Sequence, residues 1–136
     1  MIKLITGKKG SGKTKKIIDM ANAAQKNCHG SIVFMDDDNS YMYDLHHQVR
    51  FINVNDFDIK NADVLEGVII GLLAGNYDME VIFIDGLLRM IPETVDQLED
   101  FFAALDKLTK SSNVEIVMTV SEPVDNMPTS IRQYAI

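Results

Sequence analysis

Three groups of polar residues in this sequence have types and spacing that suit binding of a phosphate group or of the cation that accompanies it. The first is the glycine- and lysine-rich segment GKKGSGKT (7–14), the second is Asp85 at the end of the apolar run VIFID, and the third is the acidic run 36–38. Glycines let backbone amides converge on an anion, lysines neutralise it, and carboxylate and hydroxyl oxygens are the ligands that Mg²⁺ prefers. Together these residue types can bind a phosphorylated anion with a divalent cation.

The segment 7–14 fits the phosphate-binding loop pattern Gly-x-x-x-x-Gly-Lys-Ser/Thr at every specified position. The apolar run IKLIT (2–6) predicts a strand before it, and KTKKIIDMANAAQKN (13–27) predicts a helix after it. Free amides and the positive end of that helix favour an anion, Lys13 can reach the β- and γ-phosphates, and the Thr14 hydroxyl can ligate Mg²⁺. The loop therefore predicts binding of a nucleoside triphosphate, with ATP and Mg²⁺ as the expected cofactors.

All eight residues of the loop are predicted to bind the nucleotide: Gly7, Lys8, Lys9, Gly10, Ser11, Gly12, Lys13 and Thr14. The roles of Lys8 and Lys9 stay open, since their side chains either add positive potential or point to solvent. Lys13 has a second predicted role as a catalytic cation, because its ammonium group lies against the phosphates that react.

The run VIFID (81–85) resembles the Walker B strand of P-loop nucleotide-binding proteins. A carboxylate at the carboxyl tip of an adjacent parallel strand lies near the phosphate loop, so Asp85 is predicted to ligate Mg²⁺ together with Thr14. Many P-loop ATPases place a glutamate directly after this aspartate, but here that position is Gly86. The group that orients a water for hydrolysis must then come from elsewhere, and the acidic run 36–38 supplies the alternatives.

Short apolar runs alternate with helical periodicities along the chain. Further strands are predicted at 31–36, 49–54, 80–85 and 114–120, with a sixth at 131–136 left open, and further helices at 40–48, 61–76 and 92–111, the last with Pro92 in its first turn. Strands that are apolar on both faces and alternate with helices indicate a parallel sheet covered on both sides. The predicted fold is a single α/β domain over residues 1–136, a three-layer α-β-α sandwich with a mainly parallel sheet of five or six strands.

The order of these features resembles the RecA-like ATPase core of the P-loop NTPase superfamily. FMDDDNSYMYD is similar to the family's segment after strand two, VIFIDGLLRMIP to its Walker B region, and NVEIVMTVS to its next strand. The resemblance implies a strand order of 3-2-4-5-1 and a sensor role for Thr119 or Ser121. It also implies that Asp38 stands at the position of the catalytic glutamate. The side chain of Asp38 is one methylene shorter, which predicts slow hydrolysis.

In RecA-like assemblies the nucleotide lies between subunits, and an arginine from the neighbour completes the site. The resemblance therefore implies a homo-oligomer or a partner protein. The chain has three arginines, Arg50, Arg89 and Arg132. The candidates for an arginine supplied in trans are Arg89 and Arg132, each with a surface salt bridge as its alternative role.

Charge and composition limit the classes of function. The net charge is −7, yet residues 1–16 hold six lysines and no acid. The positive charge is thus concentrated at the phosphate loop, and the acidic remainder gives no strong nucleic-acid signal. The apolar stretch 67–75 is too short to span a bilayer. The single cysteine, Cys28, cannot form an internal disulfide and no signal-peptide pattern is present, so a cytoplasmic location is expected.

Three functions fit these features. The first is ATP binding with slow Mg-dependent hydrolysis through an assembly or partner, with Lys13 and Asp38 as catalytic residues. The second is a nonenzymatic module that senses a nucleotide and binds a partner, which Gly86 and the short Asp38 side chain favour. The third is a nucleotide or small-molecule kinase, which usually needs an arginine-rich lid that is not evident in this sequence.

Overall fold

The computed structural model describes all residues, 1–136, as a parallel sheet flanked by helices. The strands are β1 (Ile2–Thr6), β2 (Ser31–Asp36), β3 (Arg50–Asn53), β4 (Met79–Ile84) and β5 (Glu115–Val120). The helices are α1 (Lys13–Asn27), α2 (Ala62–Gly75), α3 (Leu87–Met90), α4 (Glu99–Ser112) and α5 (Thr129–Arg132). None of these helices combines the length and the apolar character that crossing a membrane requires.

The five strands pair in the order β1-β5-β4-β2-β3, and every pair is parallel. This is the order that the resemblance to the RecA-like core implied, read from the opposite edge of the sheet. The neighbouring strands β2 and β4 run in register up to the pair Met35 and Ile84. Asp36, the last residue of β2, and Asp85, the first residue after β4, therefore lie side by side at the carboxyl edge of the sheet.

Side chains of the sheet alternate between two hydrophobic clusters, one on each face. In β4, Val81 and Phe83 belong to the cluster that includes α1, whereas Ile82 and Ile84 belong to the cluster that includes α2 and α4. The α1 cluster contains 11 buried residues and the α2–α4 cluster contains 26. Helices thus cover both faces, and the predicted three-layer α/β fold is confirmed with five strands.

The helix predicted at 92–111 begins later, at Glu99. The residues before it form a separate 3-10 turn, Val95–Gln97, which is closed by a reciprocal capping box between Thr94 and Gln97. The Gln97 side chain accepts from the Thr94 amide at 2.9 Å. This local hydrogen bonding competes with a continuous helix, so Pro92 precedes the turn instead of starting α4.

The helix predicted at 40–48 is reduced to a 3-10 turn at Met42–Asp44, which buries none of its residues. A segment with so little apolar burial gains little from completing a longer helix. The sheet residues that follow it, Arg50–Asn53, form the edge strand as predicted.

The last segment of the chain does not form a sixth strand. Its first residues belong to α5, and a single parallel bridge joins Ala135 to Leu4 of β1. The Leu4 amide donates to the Tyr134 carbonyl at 2.8 Å, and the Ile136 amide donates to the Leu4 carbonyl at 2.9 Å. Residues 134–136 therefore lie along the outer edge of β1 with hydrogen bonds to one of its residues.

Candidate functional site

The loop between β1 and α1 depends on its glycines. Gly7, Gly10 and Gly12 have φ angles of 141°, 84° and 88°, which residues with a Cβ rarely adopt. Gly12 directly precedes α1 and offers no side chain to cap it. The backbone amides of Gly10 and of residues 12–15 donate to no acceptor in the protein. The loop therefore presents free N–H groups at the positive end of α1.

Lys13 is the buried lysine of the chain, with 9% of its surface exposed. Its Nζ donates to the Lys8 carbonyl at 2.7 Å and to Ser11 Oγ at 3.3 Å. Burial lowers the pKa of Lys13, the Asp85 carboxylate opposes that change, and the nearby Arg89 charge adds to it. The ammonium group has no carboxylate within ion-pair distance, so its charge remains available to an anion.

The Asp85 carboxylate is buried and is held by two hydroxyl groups. Thr14 Oγ1 donates to Asp85 Oδ2 at 3.1 Å, and Thr119 Oγ1 donates to Asp85 Oδ1 at 2.7 Å. The amide of Gly86 donates to the same Thr119 oxygen at 2.6 Å. These contacts connect the start of α1 with the tips of β4 and β5. The predicted ligands Thr14 and Asp85 are thus in direct contact.

These two oxygens suit a Mg²⁺ ion that completes its coordination with phosphate oxygens and water, as Mg²⁺ commonly does in nucleotide sites. No group of three or more His, Cys, Asp or Glu side chains is arranged to hold a metal ion by protein ligands alone. The donor set at Thr14 and Asp85 therefore fits a cation that arrives with a phosphorylated ligand.

Asp36 is the last residue of β2 and Asp37 follows it. Both side chains share the guanidinium group of Arg89 with Asp85. Arg89 Nε lies 3.2 Å from Asp37 Oδ2, and Nη2 lies 3.4 Å from Asp36 Oδ1 and 3.9 Å from Asp85 Oδ2. Burial, and then hydrogen bonding with Asp37, raises the pKa of Asp36 to about 7. Burial alone would also raise the pKa of Asp37, but its hydrogen bonds from Arg89 outweigh burial and lower it. One cation therefore serves three carboxyl groups, and Asp36 keeps its proton to a higher pH than Asp37 does.

A cavity of about 680 Å³ opens beside the loop, within the size range of small-molecule sites. Its walls come from the loop, from α1, from the segment after β2 and from the tips of β4 and β5. The lining residues are Lys9, Gly10, Gly12, Lys13, Thr14, Lys15, Ile18, Asp19, Asn22, Tyr41, Asp44, Asp85, Arg89, Thr119 and Ser121.

The outer end of the cavity is formed by α1 and the segment after β2. Asn22 fixes this segment, because its Nδ2 donates to the Asp44 carbonyl at 2.9 Å and its Oδ1 accepts from the His46 amide at 2.8 Å. Tyr41 lines the cavity with 42% of its surface exposed. A half-exposed aromatic ring beside polar groups provides a surface on which a flat ring system can stack.

Asp38 lies outside the cavity and is exposed. Its Oδ1 accepts from the Ser40 amide at 2.8 Å, which closes a local turn. The loop around it is held by the last residue of β3 and by the turn after this strand. Asn53 Nδ2 donates to Asn39 Oδ1 at 3.1 Å, and Asn55 Nδ2 donates to the Asp37 carbonyl at 2.6 Å. The residue placed by resemblance at the catalytic glutamate position therefore serves as a turn-forming side chain in this structure.

The structure brings together most of the residues that the sequence singled out. The predicted residues that line the cavity are Lys9, Gly10, Gly12, Lys13, Thr14 and Asp85, with both sensor candidates, Thr119 and Ser121. Gly7, Lys8 and Ser11 support the loop without lining the cavity. Sequence reasoning missed Tyr41, Asp44 and Asn22. The aromatic and polar residues of SYMYDL, directly after the acidic run, were the signal that could have indicated a cavity wall.

Among the three arginines, only Arg89 lines the cavity. Its ion pairs are with carboxylates of its own chain, so the guanidinium predicted to act on a neighbouring subunit is engaged in cis. Arg132 Nη2 donates to the Met127 carbonyl at 2.9 Å, away from the loop.

No protein-family model matches this sequence, and no curated protein matches it either. The structure is similar to the crystal structure of flagellar accessory protein FlaH from Methanocaldococcus jannaschii, with a TM-score of 0.62 and 15% sequence identity. The similarity covers 97% of this chain and 65% of that chain, so this chain spans slightly less than two thirds of the FlaH structure. At that identity the likeness concerns the fold alone. The chain thus shares its α/β architecture, built on a five-stranded parallel sheet, with a protein of RecA-like fold.

Proposed function

We propose that this chain binds a nucleoside triphosphate together with Mg²⁺, with ATP as the ligand to test first. The observation that carries the proposal is the state of Lys13, a buried ammonium group whose partners are a carbonyl and a hydroxyl of its own loop. Burying an unpaired charge is costly, and free amides of the same loop surround the position. Both features favour an anionic ligand with several oxygens.

In this proposal each group has a separate task. The amides of Gly10 and residues 12–15 hold phosphate oxygens, and the Lys13 ammonium neutralises the terminal phosphates. Thr14 and Asp85 would hold the cation, which withdraws negative charge from the phosphates. Thr119 keeps the Asp85 carboxylate in its orientation through the hydrogen bond at 2.7 Å.

The nucleoside is proposed to occupy the outer end of the cavity, where Tyr41 can stack against a base. The Asn22 hydrogen bonds hold that wall in place before a ligand binds, which lowers the entropic cost of binding.

Hydrolysis is proposed to be slow and to depend on an assembly or a partner. The Asp38 carboxylate is exposed and bonded to Ser40, and the position after Asp85 is a glycine, so the chain by itself offers little to orient a water. The same observation favours a second candidate, a module that binds the nucleotide without turnover and presents a nucleotide-dependent surface to a partner.

The experiment is nucleotide titration of the purified protein by calorimetry, with and without Mg²⁺, followed by a phosphate-release assay. We expect Mg-ATP to bind, and no binding of ATP, GTP or the corresponding diphosphates at millimolar concentration would overturn the proposal.

The role of Asp38 is tested in the same assay. If Asp38 orients the water, Asp38→Asn keeps nucleotide affinity and lowers phosphate release by about 100-fold. Asp58→Asn is the control, because Asp58 is an exposed aspartate in a left-handed conformation that asparagine adopts equally well. Equal turnover in both variants would assign water orientation to another group, and no turnover in the wild type would favour the nonenzymatic module.

A further inference from the structure

We propose that Arg89 makes this site discriminate a triphosphate from a diphosphate, as a phosphate-contacting residue supplied by the same chain. The inference rests on the proposed function and goes beyond it by naming the residue that recognises the terminal phosphate.

The guanidinium group of Arg89 is fixed along one edge. Nε and Nη2 face Asp37 at 3.2 and 3.3 Å, and Nη2 is also 3.4 Å from Asp36 Oδ1 and from the Asp85 carbonyl. These acceptors belong to two adjacent strand tips, so they define the plane of the guanidinium as well as its position. A side chain held in this way loses little further entropy when it binds a ligand.

The backbone under Arg89 leaves room for this arrangement. Gly86 has a φ of 83°, and a Cβ at this position would overlap the guanidinium carbon and both terminal nitrogens of Arg89. The position that carries a glutamate in many P-loop ATPases therefore carries a glycine over which the arginine folds. Any side chain at residue 86 would displace Arg89 from the strand tips.

The opposite edge of the guanidinium remains available. Arg89 Nη1 donates to no acceptor in the protein, and Arg89 lines the same cavity as Lys13 and Thr14. Arg89 Nη2 lies 3.9 Å from Asp85 Oδ2, the oxygen that accepts from Thr14. Thr14 and Asp85 are the proposed cation ligands. A cation held there would accompany the terminal phosphates, so Arg89 would lie at the end of the cavity that receives them.

The charges at this end explain why the contact would be selective. Asp36, Asp37 and Asp85 would repel a terminal phosphate, and Arg89 is the cation that lies directly among them. A diphosphate ends nearer the loop amides and Lys13, and its binding depends less on Arg89. Removing the guanidinium should therefore weaken triphosphate binding by about 10-fold or more, the usual effect of losing a charge-assisted hydrogen bond.

The test compares Arg89→Gln with Lys110→Gln, which removes an exposed positive charge that is paired with Asp106 on α4 and does not line the cavity. Affinities for Mg-bound adenylyl imidodiphosphate, a non-hydrolysable ATP analogue, and for Mg-ADP are measured by calorimetry, with the guanine pair run in parallel. We expect Arg89→Gln to lose about 10-fold in triphosphate affinity while its diphosphate affinity stays within 2-fold. Lys110→Gln should match the wild type.

Circular dichroism verifies that each variant is folded. The Arg89→Lys variant keeps a positive charge beside the buried carboxylates. This variant should recover part of the discrimination between triphosphate and diphosphate, because lysine supplies the charge without the planar fork. An equal loss of tri- and diphosphate affinity in Arg89→Gln would make Arg89 a support for the loop and overturn the inference, as would unchanged or tighter triphosphate binding. Failure of the wild type to bind any of the four nucleotides would overturn the proposed function and this inference with it.

Discussion

The α2–α4 face and the α1 face of the sheet are built from the same alternating strands, yet they bury very different numbers of residues. The α2–α4 cluster contains 26 buried residues, and among its fully buried side chains are Leu65, Ile69 and Phe102. The α1 cluster contains 11, and the helix that covers this face also forms one wall of the cavity. Where fewer helices pack on the sheet, space beside α1 stays open to a ligand.

This difference in burial assigns most of the stability to one face of the sheet and ligand binding to the other. Most of the apolar surface removed from water lies on the α2–α4 face, so that face contributes most of the hydrophobic stabilisation. The polar groups of the site lie at the carboxyl edge of the sheet and beside α1, where ligands of open α/β sheets usually bind. Substitutions on the two sides should therefore affect different measurements.

The largest effect is expected from a deletion on the α2–α4 face. Phe102 is 1% exposed and packs against the rings of Phe101 and Tyr134, with centroids 5.6 and 6.0 Å away. We expect Phe102→Ala to lower the free energy of unfolding by about 3–5 kcal/mol, measured by urea denaturation. Nucleotide affinity of the folded variant should stay within about 2-fold of the wild type. A large loss of nucleotide affinity without a loss of stability would contradict the assignment of stability to the α2–α4 face.

The second-largest effect is expected on nucleotide affinity. Lys13→Ala removes the buried ammonium, and we expect nucleotide affinity to fall by about 100-fold, because the phosphates lose a charge-assisted contact. The urea midpoint should change little, since Lys13 bonds only to loop atoms. Lys16→Ala is the matched control, because Lys16 is exposed on the same helix and does not line the cavity. Similar losses in both variants would mean that the lysines act only through general charge.

The smallest effect is a pH dependence from the acidic edge of the sheet. The pKa of Asp36 is about 7 in the folded chain against an ordinary value of 3.8, so the folded state holds a proton that the unfolded state releases. The contribution of protonated Asp36 to the stability of the folded chain is fully present below pH 4, and it is lost as the pH rises through 7. Between pH 6 and 8, without Mg²⁺ or nucleotide, the free energy of unfolding should fall by roughly 1 kcal/mol.

Asp36→Asn replaces the protonated carboxyl with a neutral amide and should flatten this dependence in urea titrations at each pH. Asp37 opposes the trend only at acidic pH, because its pKa is lowered from 3.8. A slope that persists in Asp36→Asn would assign the proton to another group.

The sequence predicted the features that depend on local pattern. Helix α1 has the predicted bounds, 13–27. The apolar spacing of its residues indicated the helix, Gly12 precedes its start, and the CHG segment (28–30) ends it. The strand order also agreed with the order implied by family resemblance. Asp85 was predicted near Thr14 because adjacent parallel strands end at one edge of the sheet, and the two side chains are hydrogen-bonded.

The features that the sequence did not predict depend on side-chain contacts across the fold. The position of Arg89 follows from the left-handed backbone of Gly86 and from two carboxylates on another strand, which are more than 50 residues away. Asp38 is exposed and accepts a hydrogen bond from the Ser40 amide. Its matching position in the family pattern does not reveal this contact. Helix α4 begins later than predicted because a capping box closes a separate turn before it. The sequence of that turn is also compatible with a longer helix, so the pattern alone did not reveal the break.

The hydrogen bonds between Leu4 and residues 134–136 have a consequence for self-association. A strand at the margin of a sheet offers unpaired backbone groups to other molecules, and such margins promote aggregation. Here the outer side of β1 is already engaged at Leu4, which leaves β3 as the margin able to accept an additional strand. That strand has only four residues and starts with the exposed charge of Arg50, so it is a poor template for intermolecular sheet growth.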